Sequence, residues 1–402
     1  MDSIQSKGGG TMLKTLGMAS VALTAVMGTP LAAQNGATLA DKAAAASSVE
    51  ANFAQFAPRS QATSARLDYS IWDEALDFFV LRMGPSLRQG APSVSPGMGT
   101  RRTYGHDSLY RLEGNRVIFS FLNDDVKASL TEYREDLERI GSEIDIAGLA
   151  RNEQLAYWIN LHNVAVIERI ARDYPVEAPS RMKIGAAQQA LDDAPFITVA
   201  GVAMSPKDIR TKIVYPHWSS PKVIYGFFRG DIGGPSIQRD AFSSDNVDAL
   251  LTENATEFVN ALRGTEKRGS TLHVSTIYEE ARPFYFRNWP ADLRGHLTEF
   301  ASDEVRQDIA ATSEVKASIY EPDIADLANG DREPSYGNVQ VDNGSGDFVQ
   351  QSFRIPQSIG RLMTERSEKM RRIIKDKVRT GRVEVLPFVM PGEEAPAAPE
   401  VE

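Results

Sequence analysis

The sequence predicts an α+β fold: helices packed around a short, mostly antiparallel sheet, one central buried helix, and a C-terminal hairpin followed by an amphipathic helix. Three observations predict it. Residues 155–167 are apolar on both sides at helical spacing, with Leu155, Trp158, Ile159, His162, Val166 and Ile170 on one face and Tyr157, Leu161 and Val164 on the other. A helix apolar all round is buried by its neighbours. Short apolar runs bounded by turn residues at 196–203, 222–228 and 271–276 read as strands. Residues 358–380 carry a one-sided stripe of Ile359, Leu362, Met363, Met370, Ile373 and Ile374.

Taken in order, Lys14 precedes an apolar run from Leu16 to Met27, followed by Gly28, Pro30 and small residues up to Ala33. This is the plan of a secretory signal peptide over about Met12–Ala33, within a leader segment 1–33, with cleavage expected after Ala33. A dozen apolar residues fall short of the ~20 needed to span a bilayer. Export to the periplasm or outside the cell is therefore expected, and loss of the leader takes the formal charge from −10 to −11. Residues 34–64 are rich in Ala, Ser and Gln and read as a linker with a short helix at 43–56.

The main domain is expected over 65–330. Trp72, Leu76, Phe79 and Met83 repeat at helical spacing until Gly84-Pro85. Residues 87–105 hold two prolines and four glycines and read as loop. Residues 116–121 fit a short strand or a turn of helix. Asn123 or Asp124 caps a helix carrying Val126, Leu130, Tyr133, Leu137 and Ile140, expected to end at Gly141. The central helix stops before Pro175. Beyond it come two short strands turning near Gly201, then a helix capped by Ser205 with Pro206 first in line. Residues 222–228 read as a buried strand, 230–235 as a turn, 244–262 as helix and 271–276 as strand. Helices follow at 278–286, 291–300 and 303–311, then an extended stretch at 316–321. Residues 331–382 hold a hairpin turning on Asn343-Gly344 and the amphipathic helix. The acidic, Pro- and Ala-rich tail 383–402 reads as disordered.

Composition excludes several chemistries. The chain has no cysteine, so disulfides, thiol nucleophiles and Cys-ligated zinc are out of reach. A net charge of −10 in 402 residues argues against general nucleic-acid binding. No motif calls for a cofactor or a metal. Asp292 and His296 share a helix face but lack a third ligand at a telling spacing. Residues 342–347 miss the EF-hand pattern.

Three segments resemble the domain-of-unknown-function family 547. Residues 152–163, Asn-Glu-Gln-Leu-Ala-Tyr-Trp-Ile-Asn-Leu-His-Asn, are similar to that family's aromatic-Trp-Ile-Asn-Leu helix. Residues 200–205 with Asp208-Ile209 resemble its Gly, Ser and Ile-acidic turn and helix. Residues 221–235 resemble its strand, polar loop and proline. The likeness covers about 116–330. It implies bacterial relatives and a remote kinship with papain- and transglutaminase-like folds. Many relatives place a His in the strand and cysteines near the loop; this chain has Ile224, Arg229 and Gly234 at the aligned positions. Arg210 stands where an acidic residue often follows the Ile. Whatever thiol chemistry the family holds, this chain lacks the thiol for it.

The chemistry that remains centres on the polar residues of the buried helix. Burying Asn160, His162 and Asn163 without partners would cost on the order of 1–3 kcal/mol each. His162 titrates in a range suited to acid–base work; the plainer reading is a paired core imidazole. Ser236 is a candidate nucleophile with His162 as base, although it lacks the Gly-x-Ser-x-Gly elbow. Arg229, Asp231, Gly233, Gly234 and Arg239 could frame an anion or ligand subsite, although no Lys-Ser/Thr follows to make a P-loop. From Arg361 to Arg382 nine basic residues face three acidic ones, which fits weak contact with a membrane surface or docking on the domain itself. The sequence favours a non-catalytic binding or scaffold domain for an unidentified protein or small ligand. Its rival is a hydrolase or transferase using His162 with a hydroxyl or water nucleophile.

Overall fold

The computed structural model describes residues 52–60, 63–93, 105–330, 336–340 and 352–379. The expected leader, most of the expected linker, the expected turn at Asn343-Gly344, residues 342–347 and residues 383–402 lie outside the described residues. The described chain is an α+β fold assembled around α3, Arg151–Asp173. From Glu153 to Ala171 every residue of α3 is buried except Arg169. Its apolar side chains reach neighbours in all directions. Trp158 meets Phe56 edge-on, with ring centres 5.1 Å apart, and Phe53 joins the same core from the stretch expected to be linker.

Two helices precede α3: α1, Ser70–Phe79, and α2, Asp124–Glu143. Asn123 caps α2 by accepting from the Val126 N–H. The helix does not stop at Gly141 as the sequence suggests; it runs on to Glu143. Gly141 answers a packing need instead. A Cβ there would overlap the Tyr157 hydroxyl and lie 2.6 Å from Val199, so the missing side chain lets α2 lie close against α3.

The sheet is divided into small pieces rather than continuous. Among the described residues, β1 (Val80–Leu81) pairs with β2 (Arg116–Val117), β3 (Lys183–Ile184) with β4 (Gln189–Ala190), and β5 (Ile197–Val199) with β6 (Val202–Met204), all antiparallel. A three-stranded sheet joins β7 (Thr265–Arg268) antiparallel to β8 (Thr271–Ser275), with β9 (Glu314–Ile319) parallel on the other side. Residues 116–121 satisfy both sequence readings, as β2 followed by a 3-10 turn at Phe119–Phe121.

The next helix, α4, begins as Pro206–Asp208, widens into a π-helical stretch over Ile209–Val214, and closes as Tyr215–His217. Ser205 and Asp208 form a reciprocal capping box at its start. The expected strand at 222–228 is a correction. Pro221–Gly226 is a 3-10 helix, and only the residues after it are extended. Its apolar run reflects burial on every side, which periodicity alone cannot assign to a strand.

Helices α5 (Val247–Val259), α6 (Ile277–Tyr285), α7 (Trp289–Phe300) and α8 (Asp303–Ala310) complete the main body. Strands β10 (Tyr336–Gln340) and β11 (Ser352–Pro356) pair antiparallel and lead into α9, Gln357–Arg379. Ile359 and Leu362 of α9 pack with Met83, Leu327 and Ala328 in a small second core.

Candidate functional site

The buried amides of α3 find their partners in main chain. The Asn160 amide donates to the Phe242 carbonyl at 2.7 Å and accepts from the Phe242 N–H at 3.1 Å. Asn163 does the same across a longer gap, donating to the Gly226 carbonyl and accepting from the Phe228 N–H, both at 2.9 Å. Gln154 donates to the carbonyls of Ala147 and Leu149 at 3.1 and 2.7 Å. An amide offers a donor and an acceptor side by side, as a β-strand edge does. These side chains therefore hold irregular segments that have no ladder of their own.

His162 lies between Asn163 and a buried arginine. Its Nδ1 is 3.0 Å from Asn163 Oδ1, and its Nε2 is 2.9 Å from Arg210 Nη1. A guanidinium can only donate, so Nε2 accepts and Nδ1 carries the proton, donated to Asn163. The ring is wholly buried and meets Phe227 edge-on. Burial, with Arg210 as second cause, pushes its pKa down to about 3. A proton arriving at Nε2 would have to displace Arg210, and the one lone pair a base would use is already taken.

Arg210 is held with equal completeness. Its Nε and Nη2 donate to Glu280 at 2.9 and 3.0 Å, its Nη1 and Nη2 to Asp192 at 2.8 and 2.6 Å, and the second Nη1 hydrogen to His162. All five N–H donors are matched. Arg229 shares Glu280, at 2.7 and 3.3 Å. Although burial opposes it, the two arginines draw the Glu280 carboxyl down to about 2. The cluster opens to solvent at Asp192, whose side chain is 37% exposed, while Arg210 beneath it is fully covered. Arg210 sits in the π-helical stretch of α4, Glu280 on α6 and Asp192 just after β4, so three elements meet over one face of α3.

The other expected site residues go elsewhere. Ser236 Oγ accepts from Arg263 Nη2 at 2.9 Å and from the Asn115 N–H at 3.2 Å, and donates to Glu257 at 3.1 Å. Both lone pairs and the proton are engaged, and His162 is not among its partners. Arg263, itself fully buried, forks onto Glu257 at 2.8 and 2.6 Å. Asp231, Gly233 and Gly234 make a turn whose N–H groups are occupied. Gly233 N donates to the Glu321 carbonyl at 3.0 Å, Ile232 N to that of Asp323 at 2.8 Å, and Gly234 N to the Asp231 carboxylate. Burial raises Asp231 to about 6, offset in part by Arg229. Arg239 joins α1, donating to the Asp77 carbonyl at 2.7 Å. Arg229 and Arg239 thus do not converge on one anion. Ile224, at the position aligned with the family's strand His, is buried in the 3-10 helix. Asp292 accepts from the Asn288 N–H at its own helix start, and His296 meets the Tyr225 hydroxyl at 2.9 Å. Among the described residues no three His, Asp or Glu side chains are placed to hold a metal ion.

Residues 146–259 match the family model described as Protein of unknown function, DUF547. This segment belongs to the DUF547 family. The match is shorter than the 116–330 span of the resemblance read from sequence. It contains α3, Asp192, Arg210, Arg229, Ser236 and Glu257, whereas Glu280, Arg263 and Asn115 come from outside it. No curated protein and no solved structure matches the chain.

Sequence reasoning missed Asp192, Glu280, Glu257 and Arg263, and noted Arg210 only as a departure from the DUF547 pattern. One signal was present: Arg210 stands between Ile209 and Ile213 in a helix bordered by apolar residues. An arginine there needs carboxylates from other elements, but the sequence does not say which. A groove of about 750 Å3 lies beside the Ser236 cluster, lined by Arg82, Asn115, Gln238 and the outer side of α5 at Thr252, Glu253 and Thr256.

Proposed function

We propose that this protein is an exported, non-catalytic binding or scaffold domain. The observation that carries the reading is the state of His162: its only basic lone pair accepts from Arg210, and Arg210 has no donor left to release it. Ser236 supports it in the same way, having neither a free lone pair nor a neighbouring imidazole. The absence of cysteine from the sequence removes the thiol alternative. The groove along α5 supports the binding half of the reading, with hydroxyl, amide and carboxylate groups on its walls. Export rests on the apolar run from Leu16 to Met27 and the small residues up to Ala33.

Two measurements test it. Peptide and ester substrates are offered to the wild type and to Ser236→Ala and His162→Asn, with urea unfolding as the fold control. No turnover that depends on either residue is expected. Turnover lost in a variant that still unfolds at the wild-type midpoint would overturn the reading. N-terminal sequencing of the protein recovered from a secreting host is expected to begin at Gln34; a cytosolic chain retaining residues 12–33 would overturn export.

A further inference from the structure

Helix α9 divides into two parts at Met370. In the first part its cations are already engaged. Arg361 donates to the His106 carbonyl, Arg366 Nε to that of Arg82 at 2.8 Å, and Lys369 Nζ to those of Gly84 and Leu112 at 3.1 and 2.6 Å. Glu365 receives the buried Arg111 through two bonds of 2.8 and 2.9 Å. Ile359 and Leu362 supply the apolar contact. The surplus of positive charge counted from Arg361 to Arg382 is therefore not all available to a partner.

Past Met370 the character changes. Arg371, Arg372 and Lys375 are exposed, and among the described residues none of them forms an ion pair. Ile374, set between them, is 58% exposed. The helix continues to Arg379. Residues 371–382 hold six basic side chains and one acidic, in a chain whose formal charge is −10. Arg371, Ile374 and Lys375 stand at i, i+3 and i+4, the spacing of a single helical stripe. A local cluster of positive charge in an acidic protein thus stands towards the end of one helix, around an isoleucine that the domain leaves uncovered.

We propose that this end, residues 371–379, docks on an anionic lipid surface. A bilayer interface answers both features together. Its headgroups attract Lys and Arg, and the boundary below them accepts an apolar side chain from a helix lying in the plane. A nucleic acid would satisfy the cations and leave Ile374 in water. The docked first part fixes the geometry, because the cations that hold α9 to the domain are distinct from those that would face the membrane. Three cations suit reversible, salt-sensitive attachment rather than permanent anchoring.

The test is co-sedimentation of the full chain with vesicles of equal parts phosphatidylcholine and phosphatidylglycerol, and with phosphatidylcholine alone. Binding to the anionic vesicles is expected, weakening as salt is raised. The triple variant Arg371→Gln, Arg372→Gln, Lys375→Gln is expected to lose ~100-fold in partitioning at about tenfold or less per side chain. Ile374→Ser should weaken binding to both kinds of vesicle by a smaller factor. The leader's apolar run adds equally to wild type and variants, so the triple variant is compared with wild type after binding to phosphatidylcholine alone has been subtracted. An unchanged urea midpoint confirms that these surface changes leave the fold intact. Equal partitioning of the triple variant and wild type would overturn the proposal, as would indifference to lipid charge. Binding that emerges only after removal of residues 383–402 would also overturn it, because the chain's own acidic tail would then be the occupant.

Discussion

Helices α3 and α9 are each 23 residues long, yet they meet the rest of the molecule in opposite ways. The first is surrounded, and it clasps main chain with amides that both give and accept. The second lies on the surface, and its contacts with main chain are made by Lys and Arg, which only give. An amide can therefore hold an N–H and a C=O at once, as Asn163 holds Phe228 and Gly226. A cation can hold only carbonyls, as Lys369 holds those of Gly84 and Leu112. The first arrangement fixes backbone inside the core, and the second fastens a finished helix to an already folded body.

The sharpest way to break the contrast is Asn163→Leu. Volume is nearly kept, but the Gly226 carbonyl, the Phe228 N–H and the His162 Nδ1 proton all lose their partner. A loss of roughly 3–6 kcal/mol is expected, read as a lower urea midpoint with little change in slope. A loss below roughly 1 kcal/mol would mean that the clasped segment holds itself.

Acid provides the next test. His106 and His162 are held down to about 3 and His296 to about 4, each by burial first. Their folded values lie below the ordinary 6.5, so the unfolded chain takes up protons first as pH falls. Their contribution is intact above 6.5 and is lost progressively from there towards 3. His162→Gln removes one such proton. Its stability should fall less steeply with acidification than wild type, by about 1.4 kcal/mol per pH unit within that window. Parallel pH profiles would show that His162 is not a neutral buried ring.

On the surface helix the effects shrink. Lys369→Met leaves two carbonyls without their donor, in a setting that water can partly reach, and should cost about 1–2 kcal/mol. Smaller again, Arg371→Ala should leave the urea midpoint where it was. If Lys369→Met matched Asn163→Leu in severity, the division between the two helices would be wrong.

The same contrast explains what was legible in the sequence. The burial of α3, its need for polar partners, the 197–204 hairpin and the Ser205–Pro206 helix start all follow from side-chain types within a few residues. The strand expected at 222–228 failed because the ladder bonds it would have made belong to Asn163, a side chain 63 residues from Gly226. Gly141 was read as a stop because sequence shows its propensity and not the Tyr157 ring beside it. Strand β7, Thr-Glu-Lys-Arg, offers no apolar alternation at all. At the site, His162 stands out locally, whereas Arg210 gains its meaning from Asp192 and Glu280, 18 and 70 residues away.

The clasp made by Asn160 and Asn163 touches only main-chain atoms of Phe242, Gly226 and Phe228. The bonds themselves do not read those side chains, but the core does: Phe228 and Phe242 are buried, and a Cβ at Gly226 would lie 2.8 Å from Ile159. A library randomised across 226–228 and 242 should therefore yield folded members only among side chains that refill the same core space. The buried helix thus acts as a fixed frame whose grip on the backbone survives repacking of the side chains around it.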